Sequence, residues 1–110
     1  MAHRIDVHHH IIPPRWLREE GARMSATAVN FDFVAKWTPA MSLESMDRNG
    51  VATAITSIST VMVRPDDAGG MASLARDCNE WAVRLARDNP GRFGTFALLP
   101  LPHEIGRAHV

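Results

Sequence analysis

The chain opens on alternation. From Arg4 to His10, apolar Ile5 and Val7 exchange with polar Asp6 and His8, the period-2 pattern of a strand whose two faces differ. On a regular strand Asp6, His8 and His10 share one face and His9 takes the other. Pro13 and Pro14 close the strand, because proline has no N–H for a ladder, and they can start a short helix carrying Trp16, Leu17 and Glu20, with Gly21 as its stop. Between Ala22 and Ala40 no period persists. Phe31, Phe33, Val34 and Trp37 are nevertheless too apolar for a freely solvated linker, so a loop that covers something is expected.

Ser42 then precedes Leu43, Glu44 and Met46, and Asn49-Gly50 supplies a left-handed stop, which marks both ends of a short helix. Val51 to Ser59 is β-branched at Val51, Thr53, Ile55, Thr56 and Ile58 and reads as a mostly buried strand. Polar Thr60, Arg64, Pro65, Asp66 and Asp67 make the next loop. From Ala68 onward, Leu74, Cys78, Trp81, Ala82 and Leu85 form the stripe of an amphipathic helix, ended by Asn89-Pro90-Gly91. Phe93 to Leu99 is the third strand.

Strands alternating with helices make the fold class α/β, with successive parallel units joined by right-handed crossovers. Three parallel strands do not close on themselves, and a (β/α)8 barrel takes about 250 residues. The expected architecture is therefore the first three β/α units of a TIM barrel, incomplete.

Composition narrows the partners. With 12 basic and 12 acidic residues, no basic patch forms that could release counterions from a phosphate backbone, so no nucleic-acid partner is expected. Asp6 and the histidines interrupt the only early apolar stretch, which argues against a secretory signal, and no run approaches the roughly 20 apolar residues of a membrane span. The chain reads as cytoplasmic. Its one cysteine, Cys78, sits in an apolar helical pattern and reads as a buried thiol rather than a nucleophile.

His8 and His10 carry the chemistry. Two apart on a strand, their imidazoles project from one face as two ligands of one divalent cation must, although spacing alone leaves such a site incomplete. In a barrel this pair would sit at the carboxyl end of the first strand, where barrel enzymes place their chemistry. Asp6 is read as a structural hydrogen-bond partner rather than a ligand. Trp37, Ser59 and Thr60 fall near the rim of the pocket, and Trp37 is the candidate contact for an aromatic substrate.

The run IDVHHHIIPP at residues 5–14 resembles the opening of the amidohydrolase-related family that includes aminocarboxymuconate-semialdehyde decarboxylase and salicylate-type decarboxylases. The stretches SLESMDRNGVATAITSIST (42–60) and LARDCNEWAVRLARDNPGRFGTFALLPLP (74–102) are similar to that family's second and third barrel units. The resemblance implies a metal-dependent hydrolase or decarboxylase acting on a small, aromatic or other, carboxylate, with His8 and His10 as ligands. It further implies zinc, or else manganese. The remaining ligands and the catalytic histidine lie on later strands in that family and have no counterpart here, so no catalytic residue is assigned and the 110 residues alone are expected to be inactive. The partner is a small-molecule substrate, and a homo-oligomer is open for the intact enzyme. The Asn79-Glu80 pair and Arg92 also match the family's pattern, but their helix and turn placement reads as scaffold. In an intact enzyme the cation would lower the pKa of bound water and polarise a substrate carbonyl or carboxylate. Because neutral imidazoles are the competent ligands, acid should weaken binding.

The resemblance ends near residue 103. The final EIGRAHV has no feature that would finish a parallel unit, and its reverse translation can be written as the read-through of a sequencing-library adapter. Residues 1–103 are accordingly read as the amino-terminal part of the barrel and 104–110 as a non-native tail. Two other readings stand beside the enzyme: a small non-enzymatic α/β binding module, and a fragment of a metal-dependent nuclease or phosphoesterase barrel, which also begins with His-x-His.

Overall fold

Three parallel strands lie side by side in sequence order, β1 (Arg4–Ile11), β2 (Val51–Ile58) and β3 (Phe93–Thr95), with β2 in the centre. The computed structural model describes residues 2–26, 31–59 and 64–101. Between β1 and β2 run α1 (Pro14–Ser25), α2 (Phe31–Ala35) and α3 (Pro39–Arg48), and α4 (Ala68–Asp88) links β2 to β3. Parallel strands whose spatial order follows the sequence, joined to one another through helices, form the arc from which (β/α)8 barrels are closed. Among the described residues, no helix is long and apolar enough to cross a membrane.

One face of the sheet is covered. Ile11, Ala54 and Phe93 from the three strands meet Met46 of α3 and Ala82 and Leu85 of α4 in one core cluster. A second cluster, Trp16 with Leu74 and Cys78, docks α1 on α4. Alternation on β2 sends Ala54 and Thr56 to the buried side and leaves Ile55 and Ser57 half-buried on the other. Ile5 and Val7 of the edge strand are each 65% exposed.

The helix boundaries differ from the sequence expectation for identifiable reasons. Helix α1 runs through Gly21: a Cβ there would touch Leu17 Cδ1 and Phe31 Cζ, each at 3.4 Å, so the glycine is a seat for the Phe31 ring rather than a stop. Helix α3 starts earlier than Ser42, with Thr38 Oγ1 accepting from the Met41 amide at 3.4 Å and Pro39 in the first turn. Its end is as expected, with Asn49 as cap and Gly50 at φ +68°. Strand β3 pairs over three residues only. Beyond it, the Asn79 side chain accepts from the Leu98 amide at 2.7 Å and donates to the Leu98 carbonyl at 3.0 Å, taking the place of a strand neighbour. Arg92 likewise braces the sheet, donating to the Ala52 carbonyl at 2.9 Å and to Asp47 at 2.8 Å.

Arg15 ties α1 to α4 by pairing with Glu19 and Asp77 and donating to Ser73 Oγ at 2.8 Å. Its guanidinium, aided by Arg64, outweighs burial and holds the Glu19 carboxyl below its ordinary 4.5. A carboxylate with a depressed folded-state pKa contributes stability above its unfolded value, and that contribution disappears as pH falls through the folded one. The urea midpoint is therefore expected to fall between about pH 5 and pH 3, and to fall less in Arg15→Gln. Parallel pH profiles for the two proteins would remove Arg15 as the cause.

Candidate metal centre

His8 and His10 turn toward each other on the sheet face that carries Ser57. Their Nε2 atoms are 3.2 Å apart, with the rings edge to face at 81° and 4.9 Å between centroids. Two imidazole nitrogens held at about 2.0–2.1 Å from one cation with a tetrahedral angle between them lie about 3.3–3.4 Å apart. The observed gap fits a shared divalent cation. Ser57 Oγ stands 3.1 Å from His10 Nδ1, which leaves Nε2 as the nitrogen free to ligate and fixes the ring. Both histidines are exposed. Among the described residues no group of three or more His, Cys, Asp and Glu that could hold a metal comes together, so the pair offers two imidazole nitrogens and no third donor.

The strand is not regular where these histidines arise. Asp6 stands opposite Ala54 and His9 opposite Thr56, so Val7 and His8 occupy a stretch where β2 offers only Ile55. This bulge shifts the alternation and corrects the expected common face: Asp6 lies on the side of His9, away from His8 and His10. His9 itself points opposite to the His8–His10 pair, as expected. Asp6 Oδ1 accepts from the His8 amide at 3.0 Å, and Oδ2 stands 3.0 Å from His9 Nδ1. These two contacts hold the Asp6 carboxyl below its ordinary 3.8, the His8 amide having the larger effect. The chain of contacts continues from His9 Nε2 to Ser42 Oγ at 2.8 Å, and Trp37 donates to the same oxygen at 2.8 Å. Since indole is only a donor and carboxylate only an acceptor, protons run in one direction, from Trp37 to Ser42 to His9 to Asp6.

Trp37 shares a cleft of about 530 Å³ with the three histidines. Its indole N–H is taken by Ser42, and its ring packs edge to face on Trp81 at 6.1 Å. A feature that single-residue reading missed lies at the carboxyl ends of β1 and β2. There His10, Ile11 and Ile12 meet Trp16 and Met24 of α1, Phe31 and Val34 of α2, and Ser59, around a mostly apolar slot of about 180 Å³. The unassigned apolar residues between Ala22 and Ala40 were its only sequence signal. Thr60 and residues 104–110 lie outside the described residues. Cys78 is fully buried and its thiol is pushed up to about 11 by that burial, which makes it inert as a nucleophile.

No protein-family model matches the chain. Against curated proteins, it is 39% identical over 99 residues to Decarboxylase yanB of Aspergillus niger, a match covering 88% of this chain and 26% of the relative. It is 31% identical over 99 residues to the 6-methylsalicylic acid decarboxylase of Penicillium expansum, covering 88% and 30%. The chain is homologous to the amino-terminal part of these decarboxylases. It spans less than a third of their length. Among solved structures, the crystal structure of an amidohydrolase II superposes with a TM-score of 0.77 at 26% identity, covering 94% of this chain and 33% of the other. A dihydroxybenzoic acid decarboxylase from a Polaromonas species, crystallised with manganese and the inhibitor 2-nitroresorcinol, gives a TM-score of 0.74 at 21% identity over 92% of this chain and 31% of that one. At that identity the second likeness speaks to the fold alone. Its arc of strands and helices is the one this chain adopts.

Proposed function

We propose that this chain opens a (β/α)8 barrel whose whole form is a divalent-metal-dependent decarboxylase of small aromatic carboxylates, with residues 1–103 native and 104–110 a foreign tail. The observation that carries the reading is the convergence of the His8 and His10 Nε2 atoms at 3.2 Å beside the slot that His10 helps to line. The homology to 6-methylsalicylic acid decarboxylase supplies the reaction class. Imidazole ligands favour zinc, and the manganese-bound structural neighbour makes manganese the alternative.

When bound, the cation would supply positive charge to the substrate carboxylate. The chain's own part is to hold and to orient. His8 and His10 provide two ligands, and Ser57 keeps the His10 ring in register. A slot of about 180 Å³ is of the order of an engineered cavity, about 150 Å³, that admits benzene, so Trp16, Met24, Phe31 and Val34 would seat an aromatic ring and exclude water from one side of it. The described residues place no acid at the slot apart from His10, so the proton that replaces carbon dioxide on the ring is assigned to none of them. Hydrolysis is the second reading, favoured by the likeness to amidohydrolase II.

The test uses the full-length gene product on 6-methylsalicylate and 2,6-dihydroxybenzoate, with carbon dioxide measured directly. Release that stops on chelation and returns with zinc or manganese is expected. Absence of release from metal-replete protein on either acid, together with hydrolysis of an amide or lactone substrate, would transfer the assignment to the hydrolases.

A further inference from the structure

We propose that Asp6 is a positioning residue for the histidine pair: by taking the His8 amide in the bulge of β1, it aims the His8 ring at His10. The inference rests on the reading of His8 and His10 as metal ligands and adds a residue to it. A bulge leaves an amide outside the ladder, and a polar backbone group in that position needs another acceptor. Asp6 Oδ1 is that acceptor for His8, at 3.0 Å. Bulges re-aim side chains, and here the re-aimed side chain is a ligand whose Nε2 reaches within 3.2 Å of the next one.

The second carboxylate oxygen explains why the side chain stays in place. Asp6 Oδ2 accepts from His9 Nδ1, His9 Nε2 accepts from Ser42 Oγ, and Ser42 Oγ accepts from Trp37 Nε1. Every donor in the run faces an acceptor, and its far end is anchored in α3 and against Trp81, so the carboxylate is braced from the covered side of the sheet. His9, which lies between the ligands without joining them, becomes the bolt of this brace. The two functions of the histidine run are thus separated by face: His8 and His10 ligate on one side while His9 secures Asp6 on the other.

The experiment measures zinc affinity in the full-length protein by chelator competition, together with the visible spectrum of the cobalt(II) form and the melting temperature without metal. Asp6→Ala is expected to lose about 10-fold to 100-fold in affinity and to change the cobalt spectrum, as loss of an outer support does. Asp6→Asn keeps an oxygen for the His8 amide and should stay within about threefold of the parent, while Ser42→Ala, which loosens the brace on Asp6 without removing the acceptor, should fall between Asp6→Asn and Asp6→Ala. His8→Ala is the control for the underlying reading: if it leaves zinc binding intact, the metal assignment itself falls. If His8→Ala abolishes binding while Asp6→Ala binds like the parent, the positioning role falls alone. Should Asp6→Ala fail to fold, Asp6→Asn decides, and a loss in it as large as that of His8→Ala would overturn the role of the amide contact.

Discussion

His10→Ala is expected to lower divalent-metal affinity by more than the roughly 10–100-fold typical of outer-shell changes, and to bring carbon dioxide release by the full-length protein to background. The substitution removes one of the two proposed ligand nitrogens on β1 and also the ring that Ser57 orients. His8 cannot replace it, because a single imidazole on an exposed strand edge has no second donor within reach among the described residues. His9 cannot either: its ring is committed on the opposite face to Asp6 and Ser42. Chelator competition on the purified variant gives the affinity, and a loss smaller than about tenfold would place the cation elsewhere. The melting temperature without metal should barely move, since His10 is exposed and buries little apolar surface.

Leu74→Ala is expected to cost about 2–5 kcal/mol, the largest stability loss predicted for a single side chain here. Leu74 has no exposed surface and lies with Trp16 and Cys78 in the cluster that docks α1 on α4. Truncation leaves a void at the centre of that cluster, and the surface charges around Arg15 that also join the two helices contribute little each. Against a total of about 5–15 kcal/mol for a typical domain, the loss is large. Its functional echo should be a loosened slot, because Trp16 belongs both to this cluster and to the slot lining. Urea unfolding followed by tryptophan fluorescence measures the effect. Leu74→Met, which conserves volume, should lose less than about 1.5 kcal/mol, and equal losses in the two variants would rule out the cavity as the cause.

The homology and the arrangement of strands agree on the fold, yet they were reached by different routes. The IDVHHHIIPP opening was legible because an i, i+2 pair on any strand shares a face, and the structure keeps His8 and His10 together. Strand β2 and helix α4 were legible for the same kind of reason. A continuous β-branched run and a stripe at helical spacing state their burial locally, and Leu74, Cys78, Ala82 and Leu85 are indeed buried in α4 together with Met71 and Ala75, while Trp81 of the expected stripe is half-buried. The scaffold reading of Asn79 and Arg92 also fits their contacts, which are all to backbone or to a neighbouring helix.

Sequence by itself determined the alternation of strands and helices apart from α2, which falls in the stretch read as a loop, the parallel sheet that alternation leads to, and the juxtaposition of His8 and His10, because each follows from a local period or spacing that tertiary contacts reinforce. Only the tertiary structure decided the rest. Period-2 counting placed Asp6 beside the ligands, whereas pairing with β2 inserts a bulge, and a register shift depends on the partner strand rather than on the residues that shift. Gly21 looked like a stop until Phe31 was seen resting on it, and Ser42 looked like a cap until its hydroxyl was seen between His9 and Trp37. The slot beside His10 is assembled from β1, α1, α2 and the end of β2, segments that no period connects, so its existence is a property of packing and not of any stretch of the chain.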